Sequence, residues 1–332
     1  MEKNMAKVAN KVKRTIIQCL IGISIVAALL YKLNAREIFD VILKIDVRYF
    51  LLAAITYLLY NVLMAFRVSY LLGKVGKVTD YHVFSAHMGA MMASEVTPAR
   101  GGYFILPYLL KRLNQSDVAE GMAVIIAPAG LEFILKVAGG FLGIILLFSS
   151  VGINRGILVS LFIAGIMCLA VGIVMIGTMW TKESVSSNLL SKIPFFGKFQ
   201  KDYLRIKEKS FMIKDSVHVI IGLYMVCWML TGLQWFFVGK SLGLDLPFYV
   251  YFLLHPLITM LSFIPITPAG VGLMEMGATG VFYLLGVGTT VGLAFSLLAR
   301  LNSISVDLIG LVEITKAWDI LSERLRGDKS GK

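Results

Sequence analysis

The sequence predicts an all-α polytopic membrane protein, and three observations carry that expectation. Of its 332 residues 58% are hydrophobic and 16% charged, with a mean hydropathy of +0.80; ordinary globular domains hold about 45–50% apolar and about a quarter charged residues. Apolar runs recur at the ~20 residues a helix needs to cross a bilayer. Two further apolar stretches are each cut near the middle by a Thr-Pro-Ala-x-x-Gly turn. This composition excludes a soluble enzyme, a disordered chain and a nucleic-acid-binding module. The formal charge of +12 is better explained by topology and anionic headgroups than by nucleic acid, because the basic residues cluster in short connections.

The first run, 16–33, has a basic flank of Lys7, Lys11, Lys13 and Arg14. It is long for a signal-peptide core and no small-residue cleavage site stands out, so a retained span is expected. Connection 34–47 mixes Arg36 and Lys44 with Glu37, Asp40 and Asp46. Further spans are expected at 48–73, 118–149, 156–180, 216–239 and 289–317. The interrupted stretches are 81–110, broken at Thr97-Pro98-Ala99-Arg100-Gly101-Gly102, and 248–287, broken at Thr267-Pro268-Ala269-Gly270-Val271-Gly272. Proline removes a backbone donor and disfavours helix just before it, while glycine readily takes positive φ. Such breaks at membrane depth must be covered by protein or face a watery cavity.

Charge orients the chain. The N-terminus holds Lys3, Lys7, Lys11, Lys13 and Arg14; connection 181–215 holds eight basic residues against four acids; the tail holds Arg324, Arg326, Lys329 and Lys332. All three are expected on the cytoplasmic side, and the connections bearing only Arg155 or Lys240 outside. These assignments close with six full spans and two re-entrant hairpins entering from opposite faces, or eight or more spans if the hairpins cross. Hairpins so placed suggest an inverted repeat, with halves of about 15–180 and 216–318 in one membrane domain spanning 1–332. Connection 181–215 is either a solvated loop or an interfacial helix, with Phe195, Phe196, Phe199, Tyr203 and Ile206 among headgroups and Lys198, Lys201, Arg205 and Lys209 facing anionic lipid.

A charge at bilayer centre costs about 2.5–3.5 kcal/mol on insertion scales, so each one invites a functional reading. Arg67, Glu95, Arg100, Glu132, Lys136, Glu275, Arg300 and Asp307 sum to zero, which suggests internal pairing. Glu132 and Lys136 have the order and spacing of a helical pair, against the alternative of a substrate contact. Ser296, Arg300, Ser303 and Asp307 share one face of the last span, as helix–helix glue or a cavity wall. Arg67 follows Tyr57, Tyr60 and Met64 on one face, unless it snorkels to the surface. Arg100 is the foremost candidate: a guanidinium beside a glycine-rich turn, with Gly101 and Gly102, suits a phosphate; otherwise it caps a helix end at the interface. Glu275, after the second turn with Pro268, Gly270 and Gly272, can pair with an arginine or gate the cavity. Cys19, Cys168 and Cys227 are odd in number, lie in apolar runs and form no CxxC, so neither disulfide nor metal site is expected. No nucleophile motif, nucleotide loop or cofactor fingerprint appears.

At these residues a family becomes recognisable. Pro98-x-Arg100-x-Gly102, the run Ile264-Pro265-Ile266-Thr267-Pro268-Ala269-Gly270-Val271-Gly272-Leu273-Met274-Glu275, Ala294, Arg300, and Phe66-Arg67 before Leu71-Leu72 resemble the flippase-like family typified by the membrane domain of lysylphosphatidylglycerol synthases. The resemblance covers about 15–318. Tyr103 stands where that family commonly has an acid, Ser94 and Glu95 where an asparagine is usual, and Ala127-Pro128 where a Glu-Arg pair is typical; these departures bear on the substrate more than the fold. Full synthases also carry a large cytosolic aminoacyl-transfer domain, whereas a short tail follows residue 318 here. The resemblance therefore implies lipid translocation, or handling of a phosphorylated lipid carrier, in a cytoplasmic membrane.

The leading expectation is a flippase or scramblase that takes an anionic or polyprenyl-phosphate-type lipid into a cavity between the hairpins, with Arg100, Arg300 and Arg67 offsetting its charge. Movement would be downhill or ion-coupled, with Glu275, Asp307 and Glu132 as proton carriers. A different class is a non-transporting membrane partner of a cell-envelope glycosyl- or lipid-transferase, bound through 181–215. An intramembrane enzyme would need an acid/base pair such as Glu275 with His255, although His255 before Pro256 reads more simply as a polar residue in a turn.

Overall fold

The structure is a computed structural model that describes residues 2–76, 80–113, 115–148, 155–181 and 196–315. Among the described residues twelve α-helices follow in chain order: α1 (Glu2–Lys32), α2 (Ala35–Leu43), α3 (Val47–Val75), α4 (Asp80–Glu95), α5 (Leu106–Arg112), α6 (Val118–Phe148), α7 (Arg155–Trp180), α8 (Phe196–Met212), α9 (Val217–Ser241), α10 (Phe248–Thr259), α11 (Leu273–Leu284) and α12 (Thr289–Asp307). Among the described residues the extended pairing is an isolated antiparallel bridge between Pro98 and Pro268. The protein is a multi-pass integral membrane protein built of apolar helices.

Each boundary has a local cause. Asp46 caps α3 by accepting the Arg48 N–H at 2.9 Å, meeting one of the orphan donors of a helix start. Asn34 sits at φ 60° between α1 and α2 and ends the first helix. Lys240 at the end of α9 donates to Asp245 at 2.7 Å, and that hydrogen bond holds the exposed carboxyl below its ordinary range.

Among the described residues four helical segments are long and apolar enough to cross a membrane: Val47–Val75, Val118–Leu147, Lys214–Ser241 and Thr289–Thr315. The bent pair Ile17–Lys32 and Ala35–Leu43, turned by 92°, makes a fifth if counted as one span. The expected spans at 16–33 and 156–180 do form helices, α1 and α7. However, α1 is followed by a sharp turn rather than a simple connection, whereas α7 runs as one apolar helix of 26 residues.

Among the described residues two large apolar clusters form most of the core, with two smaller ones beside them. Of the large pair, one gathers Trp235, Tyr251, Phe282 and Phe295 from α9–α12, the other Leu71, Val83, Leu106 and Val124 from α3–α6. These two clusters are joined through α3 packed against α9. The first helix of each broken segment also packs on a helix distant in sequence, α10 onto α6 and α4 onto α12 and the 3₁₀ turn Leu308–Gly310.

The connection 181–215 contains α8, but this helix docks on protein. Lys209 pairs with Glu120 and donates to the Val75 carbonyl, both at 3.1 Å; Tyr203 and Lys207 donate to the Thr178 carbonyl at 2.7 and 2.9 Å. Tyr203 and Ile206, expected among headgroups, instead pack on the core, because backbone acceptors and acids at the ends of α3, α6 and α7 lie beneath this face. Lys201 and Arg205 remain exposed. The side chains of Lys3, Lys7, Lys11, Lys13 and Arg14, those of Phe195, Phe196, Lys198 and Phe199, and the tail with Arg324, Arg326, Lys329 and Lys332 lie outside the described residues.

Candidate functional site

The site starts from two breaks in helix. After α4 the chain turns through Ala99 and Arg100, at φ 53° and 54°, into a 3₁₀ helix Gly101–Ile105. Thr97 Oγ1 accepts the Gly102 N–H at 2.6 Å and donates to the Ala93 carbonyl at 3.1 Å. Gly102 is required by space, since a Cβ there would lie 2.2 Å from the Ala93 oxygen. After α10 the second break passes Ala269, Gly270 and Gly272, at φ 41°, 70° and 85°. The two turns meet: the Ala269 N–H donates to the Thr97 carbonyl at 3.1 Å, beside the Pro98–Pro268 bridge. The repeated motif thus builds one joint from two distant stretches.

Three ion pairs line a cavity next to this joint. Arg100 pairs with Glu95; Lys136 meets Glu132 at 2.7 Å; and Arg300 Nε donates to Glu275 Oε1 at 2.7 Å. Glu275 Oε2 accepts the Gly272 N–H at 2.6 Å, and Arg300 reaches the Ala269 carbonyl at 3.4 Å. Glu275, 1% exposed, therefore ties the second turn to α12. The cavity holds about 1080 Å³ of atom-free space, its mouth included, and Gln234, Ser296 and Ser303 contribute further polar groups.

A second cavity of about 1310 Å³ adjoins the first. Tyr60, Arg100, Glu132, Lys136 and Tyr224 belong to both walls and form a waist between them. Beyond the waist the lining is mainly apolar, including Phe104, Phe133, Met167 and Val171, with Gly101 at the turn. Arg67 lies in this wall, 2% exposed, so it does not snorkel. It donates to the Tyr224 hydroxyl, and its guanidinium carbon sits 4.8 Å from the centre of that ring.

Most of the residues singled out in the sequence gather here. Arg67, Arg100, Gly101, Glu275 and Arg300 line one or both cavities, while Pro98, Gly102, Pro268, Gly270 and Gly272 shape the joint. Asp307 lines neither cavity; it is fully buried behind the first, accepting the Tyr57 hydroxyl at 3.2 Å while its Oδ1 has no hydrogen-bond partner. Ser296, Arg300 and Ser303 do share an inward face. Glu132 and Lys136 are at once a pair and part of the cavity wall. His255 also lines the first cavity, but its ring nitrogen faces Thr231 at 3.3 Å and no hydrogen bond joins it to Glu275.

Sequence reading missed the aromatic waist. Tyr60 was visible on the face of Arg67, but Tyr224 carried no signal beyond its place in an apolar run. It also missed His87, buried between Tyr103 at 3.0 Å and Asn61 at 3.2 Å; Tyr103 is the residue standing where the resembling family has an acid. Among the described residues no group of His, Cys, Asp or Glu side chains is assembled that could hold a metal ion.

The chain is similar to a UPF0104 membrane protein of Methanothermobacter thermautotrophicus, 24% identical over 92% of this chain and 96% of that one. Similar UPF0104 membrane proteins come from Methanocaldococcus jannaschii (23% identical, 67% of this chain, 92% of that one) and Pyrococcus horikoshii (22%, 91% and 97%). Residues 15–310 match the family model described as the lysylphosphatidylglycerol synthase TM region, so with its paired turns and polar cavity the chain belongs to that family.

Proposed function

We propose that this protein binds and translocates a lipid with an anionic or polyprenyl-phosphate-type headgroup, acting as a flippase or scramblase. The observation that carries the reading is the joint of two broken segments beside a cavity lined by three ion pairs, amid helices apolar enough to span a bilayer. Irregular backbone and charge survive at membrane depth where protein or a watery cavity covers them, and such a cavity gives a polar headgroup a path that hydrocarbon denies it. The chain of the lipid stays among apolar side chains. Movement is downhill or ion-coupled.

We read the topology as six full spans and two re-entrant hairpins, with the halves as an inverted repeat in a cell membrane and both termini cytoplasmic. The lengths of the hairpin arms support this. At 1.5 Å per α-helical and about 2 Å per 3₁₀ residue, α4 rises about 24 Å, Gly101–Arg112 about 20 Å, Phe248–Phe263 about 26 Å and α11 about 18 Å, all short of a hydrocarbon core of about 30 Å. The exchange of first arms, α10 onto α6 and α4 onto α12, supports the repeat.

The test is transbilayer movement of fluorescent phosphatidylglycerol in liposomes carrying the purified protein. We expect movement faster than in empty liposomes, and its loss in Arg100→Ala with Arg300→Ala. The charge-balanced pair Glu95→Gln with Arg100→Gln checks that loss without leaving a carboxylate unpaired. No difference from empty liposomes across several anionic lipids, or full activity in these variants when correctly folded, contradicts the proposal.

A further inference from the structure

The interior carboxyls are unequally committed. Glu95, Glu132 and Glu275 hold Arg100, Lys136 and Arg300, so a proton added to any of them would leave a cation unpaired. Asp307, at the end of α12, has no such partner: among the described residues no basic side chain lies within 4 Å of it. It is fully buried, accepts the Tyr57 hydroxyl at 3.2 Å, and its Oδ1 has no hydrogen-bond partner. An ionised carboxyl so placed is costly, because neither a cation nor a full set of donors meets its charge; a proton removes that charge. The groups around it are otherwise engaged. Against α12, α3 presents Tyr57, with Tyr60 stacked on it at 5.4 Å. On α4, His87 lies between Tyr103 and Asn61, and Glu95 is held by Arg100. On α9, Tyr224 takes the hydrogen bond of Arg67. Arg300 on α12 itself is held by Glu275, and Glu313, beyond the 3₁₀ turn, by Arg112. The helix α2 packs at the opposite end of α12, on Leu293 and Ala294. Arg100 is a cation whose field reaches Asp307, and its Nε is buried without a partner.

We propose that Asp307 is a proton-binding site that couples movement to a proton gradient, reached from the first cavity through the Tyr57 hydroxyl. This rests on the translocation reading above and deepens it by naming the coupling ion and the residue that takes it. Tyr57 lines the first cavity and hydrogen-bonds Asp307 behind it. The phenol passes its proton to Asp307 Oδ2 while a hydronium in the cavity gives one to the phenol oxygen. The phenol ends unchanged, the carboxylate is neutralised and a water molecule is left. Release runs the same steps backwards. Buried acids in membrane helices that face protein and link to a cavity are suited to such a relay. Once ionised, Asp307 is a second anion for Arg100, in competition with Glu95. Arg100 stands in the first turn of the joint, at φ 54°. The proton therefore biases which carboxylate Arg100 holds, and with it the turn that carries the joint.

Infrared difference spectroscopy of the purified full chain, in a detergent without ester groups, reads the site directly. Ordinary carboxyls are ionised at neutral pH, so a carboxylic-acid carbonyl band is expected in the wild type, lost in Asp307→Asn and shifted in Tyr57→Phe. No such band in the wild type, or the same band in a folded Asp307→Asn protein, overturns the site. The wild-type result and the Tyr57→Phe shift stand even where the Asp307 variant fails to fold. Coupling is read in the liposome assay with a pH step across the membrane. Relative to the same buffers without a step, phosphatidylglycerol movement is expected to change several-fold in the wild type and not in Asp307→Asn. A wild type indifferent to the step overturns the coupling. An Asp307-dependent band with no lipid movement at all would keep the proton site and remove the translocation reading, whereas movement indifferent to the step, without the band, would do the reverse.

Discussion

Glu275 shows how much one carboxylate can organise. One oxygen stops the Gly272 N–H from being an orphan at the start of α11, and the other holds Arg300 on α12. The first turn solves the same problem differently: Thr97 Oγ1 takes the Gly102 N–H, while its counterpart Thr267 Oγ1 has no hydrogen-bond partner. The motif is thus repeated in sequence but not in its bonding. Glu275→Gln keeps an acceptor for Gly272 yet leaves Arg300 without a carboxylate, which for a buried pair costs about 3–5 kcal/mol. Thermal unfolding in detergent should show that loss, and adding Arg300→Gln should recover much of it. A double variant as unstable as the sum of the singles would show that the two residues do not act as a pair.

Among the helices, the closest approach between α6 and α7 rests on two glycines. A Cβ on Gly172 would lie 2.7 Å from the Gly130 oxygen, and one on Gly130 2.8 Å from the Gly172 oxygen. Small residues at facing positions let backbones pack this tightly without bulky side chains between them. Gly172→Leu must therefore part the helices, at about 1–3 kcal/mol for overpacking. Because α7 also walls the second cavity, the same variant should change lipid binding, while Gly177→Leu, at a position with open space around it, should change neither. Equal melting temperatures for the two variants would contradict this packing. The helix α8 shows what amphipathic pattern alone leaves open: lipid and protein both accept an apolar face, and it is the carbonyls of Val75 and Thr178, invisible in a linear reading, that turn it toward protein.

For the whole molecule, what was legible in the sequence was what local chemistry dictates. Proline and glycine mark both breaks, apolar runs mark the helices, and the step from Ser296 to Asp307 marks an inward face. What depended on distance was not legible. Nothing local says that Pro98 meets Pro268, that Arg300 takes Glu275 rather than another acid, or that Tyr224 completes a waist with Tyr60. The interior charges balance in number, but only the fold reveals which of them, among the described residues, are met by a tyrosine hydroxyl rather than an opposite charge: Arg67 at a cavity wall and Asp307 behind one. The central claim, a lipid site at the joint of two broken helices, is tested most directly by an experimental density map of the protein in lipid nanodiscs. Elongated density through the waist is expected, with its strongest feature beside Arg100 and Lys136. A waist closed by side chains, or lipid confined to the outer surface in every particle class, would contradict it.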